Sequence, residues 1–389
     1  MTEPTPTTLA PAADPYSYIH YENPEFRGIL DPDITEKAKN RFTGFHLIEK
    51  SYKKDKFGQD IKVYMLIPDE VWNSTMKQES VNLHVRFHGG GFTTGSGAYK
   101  TWWAQHVVNL CKEENAISIA PNYSLMPEAT GKELLEDVDA FWKWFQEGQL
   151  LEWLRSLNGK KMANVKVNLD NILLSGDSAG GFLCVYSWLT ANDALVKKFK
   201  VMYLQYPMLR QYTRNETGAY QGYNITKEVA EARVLANEKE IDDMRTKGTL
   251  RFRSDSIPPE GMDSAHMMST TKVNKDGTSS VYSTWKRMFG EDDILERIEK
   301  MAKFPKPYPK IFISHGIADK NCPCEETIAF QELLHEKVGA DKITIAVEKI
   351  PDAAHAFDYD LDEKSVEWLG RLVDRVRKTW RPEIPKSTV

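Results

Sequence analysis

The hydrophobic residues of this chain gather in eight short runs that predict β-strands. Several runs consist of uninterrupted Val, Ile and Leu rather than alternating with polar residues, which is typical of strands buried on both faces of a sheet. The eight predicted strands are His46–Tyr52, Ile61–Ile67, Val81–Phe87, Ala116–Ala120, Val165–Leu174, Val201–Tyr206, Lys310–Ser314 and Ile343–Ile350.

Between the later strands, hydrophobic residues recur with helical spacing. The predicted helices are Tyr99–Lys112, Lys132–Glu147, Gly180–Asn192, Glu325–Lys337 and Lys364–Trp380. Strand followed by helix, repeated along a chain, gives a mostly parallel sheet with helices on its faces. The sequence therefore predicts an α/β protein with a mostly parallel eight-stranded sheet and helices on both faces.

One interval is too long to be a simple connection between core strands. It runs from Met208 to Tyr308, and a segment of that length contains its own elements in a compact domain. Within it, Thr226–Arg245 predicts a charged amphipathic helix, and we interpret the insert as a helical cap. We therefore predict three parts: residues 1–45 as an N-terminal segment of the cap, 46–208 and 309–389 as the core, and 209–308 as the insert.

Composition narrows the possible partners. The chain has 389 residues, of which 41% are hydrophobic and 28% charged, and this composition is typical of a globular protein. Its net charge of -5 does not favour binding to nucleic acid or to an anionic membrane. No run of 18 apolar residues predicts a membrane span, and the first thirteen residues do not resemble a signal peptide. Four scattered cysteines do not make a disulfide framework. A cytoplasmic location is the default expectation, and a homodimer is left open.

Ser178 is the first candidate for chemistry. It lies in Gly176-Asp177-Ser178-Ala179-Gly180, directly after the apolar run 171–175 and before the run 181–186. This is the G-x-S-x-G pattern of a strand-to-helix turn that exposes a nucleophilic serine, where flanking side chains would collide with the adjoining elements. The pentapeptide alone recurs by chance in on the order of one chain in ten, and a helix-capping serine is the simpler interpretation.

A second motif strengthens the catalytic interpretation. His88-Gly89-Gly90-Gly91 follows the predicted strand Val81–Phe87, and it matches the HGGG-type motif whose backbone lines an oxyanion hole. By the same composition argument it arises by chance in on the order of one chain in several hundred. His88 itself is expected to be a structural hydrogen-bonding residue rather than a base.

An acid and a histidine follow in the chain order that such a serine requires, which is serine, acid, histidine. Asp319 comes just after the strand that ends at Ser314, and His355 comes just after the strand that ends at Ile350. Both positions lie beyond the carboxyl ends of parallel strands, where ligands bind in α/β sheets. Asp352 remains an alternative acid and His315 an alternative base.

Other reactive or charged residues receive simpler interpretations. Cys322-Pro323-Cys324 has no partner pair at metal-binding spacing, so we expect two unrelated thiols. Trp102 and Trp103 are expected to pack in the core or cap, with the acyl pocket as the alternative. Three basic residues of the insert are expected to form a solvated face: Arg251, Arg253 and Lys272.

Together these motifs resemble the hormone-sensitive-lipase-like branch of the α/β-hydrolase superfamily, a group of carboxylesterases marked by HGGG and GDSAGG. The resemblance covers about residues 80–360, including the segment 122–128, N-Y-S-L-M-P-E, which is similar to the family's D-Y-R-L-A-P-E. Asn122, Ser124 and Met126 depart from that pattern, which puts its usual polar contacts in doubt. Ala356 stands where the family usually has the glycine of H-G-F.

The resemblance implies an α/β-hydrolase fold and acyl transfer through a covalent intermediate. Ser178 attacks a carbonyl, His355 moves the proton, and Asp319 orients the histidine. The resemblance also implies an oxyanion hole made by three backbone N–H groups, those of Gly89, Gly90 and Ala179. No metal or organic cofactor is required.

We therefore expect a serine hydrolase that cleaves a carboxylic ester of a small or medium-sized molecule. An amide, formamide, lactone or thioester substrate is the alternative within the same chemistry, with secondary-metabolite tailoring as one setting. A non-catalytic ligand receptor on the same fold is a further alternative, although such receptors lose the histidine that is present here. A protein-interaction role of the insert also stays open.

Overall fold

Ten strands are present among the residues that the computed structural model describes, which are 38–74, 80–157, 162–210, 238–257, 271–273, 279–283 and 289–381. They are β1 (Phe45–Lys54), β2 (Asp60–Pro68), β3 (Val81–Phe87), β4 (Ile117–Pro121), β5 (Val167–Asp177), β6 (Phe199–Gln205), β7 (Thr271–Val273), β8 (Ser279–Ser283), β9 (Lys310–Gly316) and β10 (Ile345–Ile350).

Eight of these strands form one sheet in the order β1-β2-β4-β3-β5-β6-β9-β10, while β7 and β8 make a separate antiparallel pair. The strands β1 and β2 are antiparallel to each other, and β2 is antiparallel to β4. All other neighbours in the sheet are parallel. The predicted mostly parallel eight-stranded sheet is thereby confirmed.

The longer helices cover both faces of this sheet. They are α1 (Gln105–Glu113), α2 (Gly131–Gln146), α3 (Gln149–Ser156), α4 (Ala179–Thr190), α5 (Ile294–Lys300), α6 (Cys324–Val338) and α7 (Glu367–Trp380). Shorter helical turns are Asp69–Trp72, Lys100–Trp102 and Asp193–Val196, and residues 238–247 are also helical.

The core has two hydrophobic layers, one on each face of the sheet. The larger layer joins strands β3 and β5 to apolar residues of α2, α4 and α6, such as Phe141 and Phe182. The second layer joins β5, β6 and β9 to α1 and α7, where Leu369, Leu372 and Val376 are buried as the predicted apolar face requires. Strand β3 is buried at every residue although its sequence alternates apolar and polar residues, so its polar side chains Asn82, His84 and Arg86 are buried as well.

Several element boundaries differ from the prediction for local reasons. The predicted helix Tyr99–Lys112 is split, because Trp103 and Ala104 are extended between a short 3₁₀ turn and α1. Helix α3 is an element that we did not predict; it follows α2 after Gly148, whose φ of 80° breaks the helix. Both differences arise at turns that hydrophobic spacing does not report.

The range 209–308 that we predict as an insert is described only in part. Residues 238–247 agree with the end of the predicted helix Thr226–Arg245, and the earlier part of that prediction lies outside the described residues. Phe289 and Ile294 belong to the main hydrophobic core, so the end of this range packs with the sheet. Most of the predicted N-terminal cap segment also lies outside the described residues, and the division into cap and core stays a prediction.

Candidate active site

The predicted nucleophile lies on a tight turn between β5 and α4. Strand β5 ends at Asp177 and helix α4 begins at Ala179, so Ser178 alone connects them. Its φ of 52° and ψ of -118° lie outside the regions that side chains other than glycine usually adopt. A β-carbon on Gly176 would lie 2.3 Å from the carbonyl oxygen of Gly180, and one on Gly180 would lie 2.1 Å from that of Phe87. The turn therefore requires both glycines.

The segment after β3 runs beside this turn. A β-carbon on Gly89 would lie 2.5 Å from the Asp177 carboxylate, and one on Gly90 would lie 2.2 Å from the Thr94 carbonyl oxygen. The φ of Gly90, 106°, is also unfavourable for other residues. Neither glycine donates its backbone N–H to a hydrogen bond among the residues the structure describes. Two amide donors thus remain available beside Ser178.

His88 is structural, as expected. Its ring stacks on Tyr123 with 4.3 Å between centroids, and its Nδ1 lies 2.8 Å from the Gly89 carbonyl oxygen. The Tyr123 hydroxyl donates to the His88 carbonyl oxygen at 2.7 Å. Burial lowers the pKa of His88 to about 3, so the ring stays neutral. The histidine and tyrosine together fix the backbone that leads into the glycines.

The predicted acid and histidine meet at the carboxyl ends of β9 and β10. His355 Nδ1 lies 2.7 Å from Asp319 Oδ2. The other carboxylate oxygen of Asp319 accepts the backbone N–H groups of Asn321 and Cys322 at 2.8 and 2.9 Å. Burial acts to raise the pKa of Asp319, but His355 and His315 and their hydrogen bonds hold this pKa below its usual range. The carboxylate is therefore ionised and oriented toward the imidazole.

His315, the alternative base, has both ring nitrogens occupied. Its Nε2 lies 2.7 Å from the Cys322 carbonyl oxygen, which accepts only, so Nε2 carries the proton. Its Nδ1 lies 2.8 Å from the Thr327 hydroxyl. The ring is fully buried and is 3.4 Å from Asp319. His315 supports the acid, whereas His355 keeps Nε2 for a proton from outside the pair.

The serine and the acid–histidine pair are connected through Cys322. Its sulfur lies 3.9 Å from Ser178 Oγ, and its backbone N–H bonds Asp319. Among the described residues, no hydrogen bond joins Ser178 Oγ to His355. Catalytic hydrogen bonds are often long until substrate binds. Cys322 and Cys324 are both free thiols, consistent with their interpretation as unrelated, and Cys322 in addition lies against the predicted nucleophile.

A buried ion pair that we did not predict holds the serine turn. Arg86 donates to Asp177 Oδ1 at 2.6 Å and to the Trp102 carbonyl oxygen at 2.7 Å, and both members of the pair are almost fully buried. The other carboxylate oxygen of Asp177 accepts the Tyr359 hydroxyl at 3.1 Å. The sequence signal for this pair was an arginine in the predicted strand β3, which is buried along its whole length, because buried charges are paired.

Arg253 does not belong to a solvated face, contrary to our expectation. It binds Glu128 through two hydrogen bonds of 2.8 Å and donates to the carbonyl oxygens of Thr93 and Met126 at 2.9 Å. Ser256 next to it pairs with Gly95 in an antiparallel bridge. The segment 250–257 is thus attached to the loop that follows the glycines.

The departures from the family's D-Y-R-L-A-P-E segment retain polar contacts. The Asn122 side chain accepts the Gly97 N–H at 2.7 Å, and the Ser124 N–H bonds Asp137 at 2.9 Å. The φ of Ala356, 59°, explains why a glycine is usual at that position. No group of three metal-ligating side chains occurs in the described part of the chain, nor any helix long and apolar enough to cross a membrane.

Comparison with known proteins shows similarity to α/β-hydrolases and esterases. A family model described as alpha/beta hydrolase fold matches residues 84–259. "Probable carboxylesterase M8" of Phoma sp. is 32% identical over 166 residues, covering 43% of this chain and 49% of that protein. "Neutral cholesterol ester hydrolase 1" of Rattus norvegicus is 29% identical over 142 residues, covering 36% and 32%. The chain therefore spans less than half the length of these curated relatives.

Among solved structures, the esterase LipW from Mycobacterium marinum has a TM-score of 0.51 and 15% identity, and the match covers 92% of this chain and 90% of that one. At that identity the likeness concerns the fold alone. It covers 92% of this chain, which is more than the segment that the family model matches.

Proposed function

We propose that this chain belongs to the hormone-sensitive-lipase-like branch of the α/β-hydrolase superfamily, which the family-model match and the carboxylesterase relative support, and that it hydrolyses a carboxylic ester of a small or medium-sized molecule. The reaction runs through an acyl-enzyme on Ser178. The observation that carries this proposal is the 2.7 Å hydrogen bond between His355 and Asp319, at the same sheet edge as the strained Ser178 turn. A serine needs such an oriented base to act as a nucleophile.

In the proposed mechanism, His355 Nε2 takes the proton of Ser178 as its oxygen attacks the ester carbonyl. Asp319 fixes the Nδ1–H tautomer and stabilises the imidazolium that forms. The low pKa of Asp319 supports this role, because an ionised carboxylate is needed beside a developing positive charge. His355 then protonates the leaving alcohol, and water repeats the sequence to release the acid.

The developing oxyanion is bound by the backbone N–H groups of Gly89, Gly90 and Ala179. Each donor in a comparable site contributes roughly 3 to 4 kcal/mol to the transition state. The glycines support this assignment, since the space that their side chains would occupy is already filled. No step in this sequence calls for a metal or an organic cofactor.

The names of the relatives support an ester as substrate, because the Phoma and rat proteins are called a carboxylesterase and a cholesterol ester hydrolase. The same machinery also cleaves amides, lactones and thioesters, and the difference lies in the groups around the acyl and leaving parts. An ester is the least demanding of these for a serine nucleophile, so it is the substrate class to test first.

The test is hydrolysis of p-nitrophenyl esters of increasing acyl length by the full chain and by Ser178→Ala and His355→Ala. We expect each variant to lose activity by on the order of 10⁴-fold or more, because triad members act as a unit. Intact mass after treatment with diisopropyl fluorophosphate should show a single adduct that Ser178→Ala does not form.

Activity retained in Ser178→Ala would contradict the mechanism. Labelling of Ser178 without turnover of any ester would indicate a narrower acyl substrate, to be sought among amides, lactones and thioesters. If neither labelling nor turnover occurs in a folded protein, the ligand-receptor alternative replaces the enzyme proposal.

A further inference from the structure

Asp358 is a fully buried carboxylate three residues after His355. Its Oδ1 accepts the Tyr206 hydroxyl at 2.9 Å, and its Oδ2 accepts the side-chain amide of Gln205 at 2.8 Å. Both donors are uncharged, and burial raises the pKa of Asp358 to about 6. Burying a carboxylate on neutral donors is unfavourable for folding. A residue of this kind is expected where it serves the site.

Tyr206 connects Asp358 to the histidine. The ring of Tyr206 packs edge-to-face against the imidazole of His355, with 4.7 Å between centroids and 64° between planes. The tyrosine is fully buried, and its backbone N–H donates to the Ser314 carbonyl oxygen of β9 at 2.8 Å. Its ring is therefore fixed at the backbone by β9 and at the hydroxyl by Asp358.

Gln205 connects the same carboxylate to the serine turn. The backbone carbonyl oxygen of Gln205 accepts the Ser178 N–H at 2.9 Å, while its side chain bonds Asp358. One buried carboxylate thus holds both the residue that supports the serine and the residue that packs on the histidine. Displacement of Asp358 would disturb the two predicted catalytic groups together.

The hydrogen bond that His355 donates to Asp319 does not restrict every motion of the imidazole ring. A contact at Nδ1 fixes that atom and the tautomer, but the ring can still tilt about this bond and move Nε2 away from the serine. The Tyr206 ring lies against the imidazole and limits the tilt. A displacement of about 1 Å at a reacting group costs on the order of 10²-fold in rate, so such a limit has a large effect.

We propose that Tyr206 is a positioning residue for His355 and that Asp358, through Tyr206 and Gln205, keeps the histidine and the serine turn aligned. The inference rests on the proposed function, in which His355 is the base. Neither Tyr206 nor Asp358 exchanges a proton with substrate in this scheme. Their contribution is to the rate of acylation rather than to substrate binding.

The experiment compares Tyr206→Leu and Tyr206→Phe with the unchanged chain. Loss of the ring in Tyr206→Leu should lower kcat by about 100-fold with KM within twofold. Tyr206→Phe keeps the ring and loses only the hydrogen bond to Asp358. Its kcat should therefore lie between those of Tyr206→Leu and the unchanged chain, about tenfold below the latter. This partial rescue by phenylalanine distinguishes contact with the imidazole from a general effect of the hydroxyl.

Tyr203→Phe is the matched control. Tyr203 is also a buried tyrosine and lies in β6, but its hydroxyl bonds His106 at 2.9 Å and its ring packs on His106, with 5.7 Å between centroids, rather than on His355. It should keep kcat within twofold. Equal losses in Tyr203→Phe and Tyr206→Leu would overturn the proposal, as would an unchanged kcat or a rise in KM alone in Tyr206→Leu.

A spectroscopic measurement separates this proposal from the proposed function. The proton between His355 Nδ1 and Asp319 should give a downfield signal in the proton NMR spectrum, assigned by its loss in His355→Gln. Tyr206→Leu should shift or broaden that signal, and Tyr203→Phe should leave it in place. If the unchanged chain hydrolyses no ester, the proposed function fails while this signal still decides the positioning role; a signal unaffected by Tyr206→Leu would overturn it.

Discussion

The acid–histidine side and the oxyanion side of this site are built from different parts of the chain. On the first side, two side chains from the loops after β9 and β10 meet, with His355 Nδ1 2.7 Å from Asp319. On the second side, the predicted groups are backbone amides, and side chains at Gly89 and Gly90 would collide with the Asp177 carboxylate and the Thr94 carbonyl oxygen. One side depends on charge, and the other depends on close packing of the backbone that only glycine allows.

This difference makes the two sides separable by experiment. A substitution that keeps shape and changes charge affects the acid–histidine side, since its chemistry depends on an ionised carboxylate and one imidazole tautomer. A substitution that keeps charge and adds volume affects the oxyanion side, where the donors belong to every residue but only glycine fits. The distinction also predicts which changes alter stability along with rate.

The largest effect should come from removing the charge of the acid. Asp319→Asn keeps the side-chain volume, but its amide can donate to His355 and favours the wrong tautomer. We expect kcat/KM to fall by about 10⁴-fold, measured with the p-nitrophenyl ester that the unchanged chain prefers. Asp352→Asn is the control, because Asp352 is the alternative acid and is exposed. Equal losses in both variants would reassign the acid.

Adding a methyl group to the oxyanion side should have the next largest effect. In Gly90→Ala the new β-carbon would meet the Thr94 carbonyl oxygen at 2.2 Å and Trp102 at 2.9 Å, and the φ of 106° is unfavourable for alanine. The loop must shift, and misplacing one oxyanion donor lowers kcat by about 10²- to 10³-fold. The measurement is kcat for the same ester.

Gly58→Ala is the matched control for that prediction. Gly58 also has a positive φ, 83°, but a β-carbon there would meet nothing within 4 Å. Backbone strain alone should lower the melting temperature and leave kcat unchanged. If Gly58→Ala and Gly90→Ala lose the same activity, the oxyanion side does not depend on the close packing of the backbone around Gly90.

Patterns in the sequence sufficed to predict most of the fold. Runs of hydrophobic residues, several of them uninterrupted and others alternating with polar residues, predicted all eight strands of the main sheet. The G-x-S-x-G and HGGG motifs could be recognised because the backbone conformation restricts certain of their positions to glycine. The chain order of serine, acid and histidine then predicted an Asp319–His355 pair, and these two residues are adjacent in the structure.

The same patterns could not predict contacts between residues that are far apart in the sequence. The pairing of Arg86 with Asp177 joins residues 91 positions apart, and Tyr206 with Asp358 joins residues 152 apart. The spacing of hydrophobic residues indicates only whether a residue faces the core. It does not indicate which polar group will be its partner there. A buried arginine or aspartate needs a partner, but the identity of that partner depends on the tertiary fold.

The contacts of Arg253 could not be predicted from the sequence either, and they allow a test in which the smallest effect is expected on the oxyanion side alone. This residue attaches the segment 250–257 to the oxyanion side through Glu128, Thr93 and Met126. The N–H of Thr93 in turn donates to the Gly90 carbonyl oxygen at 3.0 Å. Among the residues that the structure describes, Arg253 makes no hydrogen bond to Asp319 or His355. If the loop that follows the glycines depends on the segment 250–257, removing the Arg253 contacts should reduce kcat even though Asp319 and His355 are unchanged.

Arg253→Gln removes the charge and the two-point contact with Glu128, and it leaves a carboxylate without its cation. The pair is about four-fifths buried, so we expect a loss of about 1 to 3 kcal/mol in stability and, through the loop, about tenfold in kcat. Arg251→Gln is the control, because Arg251 is exposed and its two hydrogen bonds stay within its own segment, to Gly248 and Leu250. The measurements are kcat and thermal unfolding of both variants. A fall in melting temperature with kcat unchanged would confine Arg253 to a structural role and would show that the backbone of the oxyanion side supports itself.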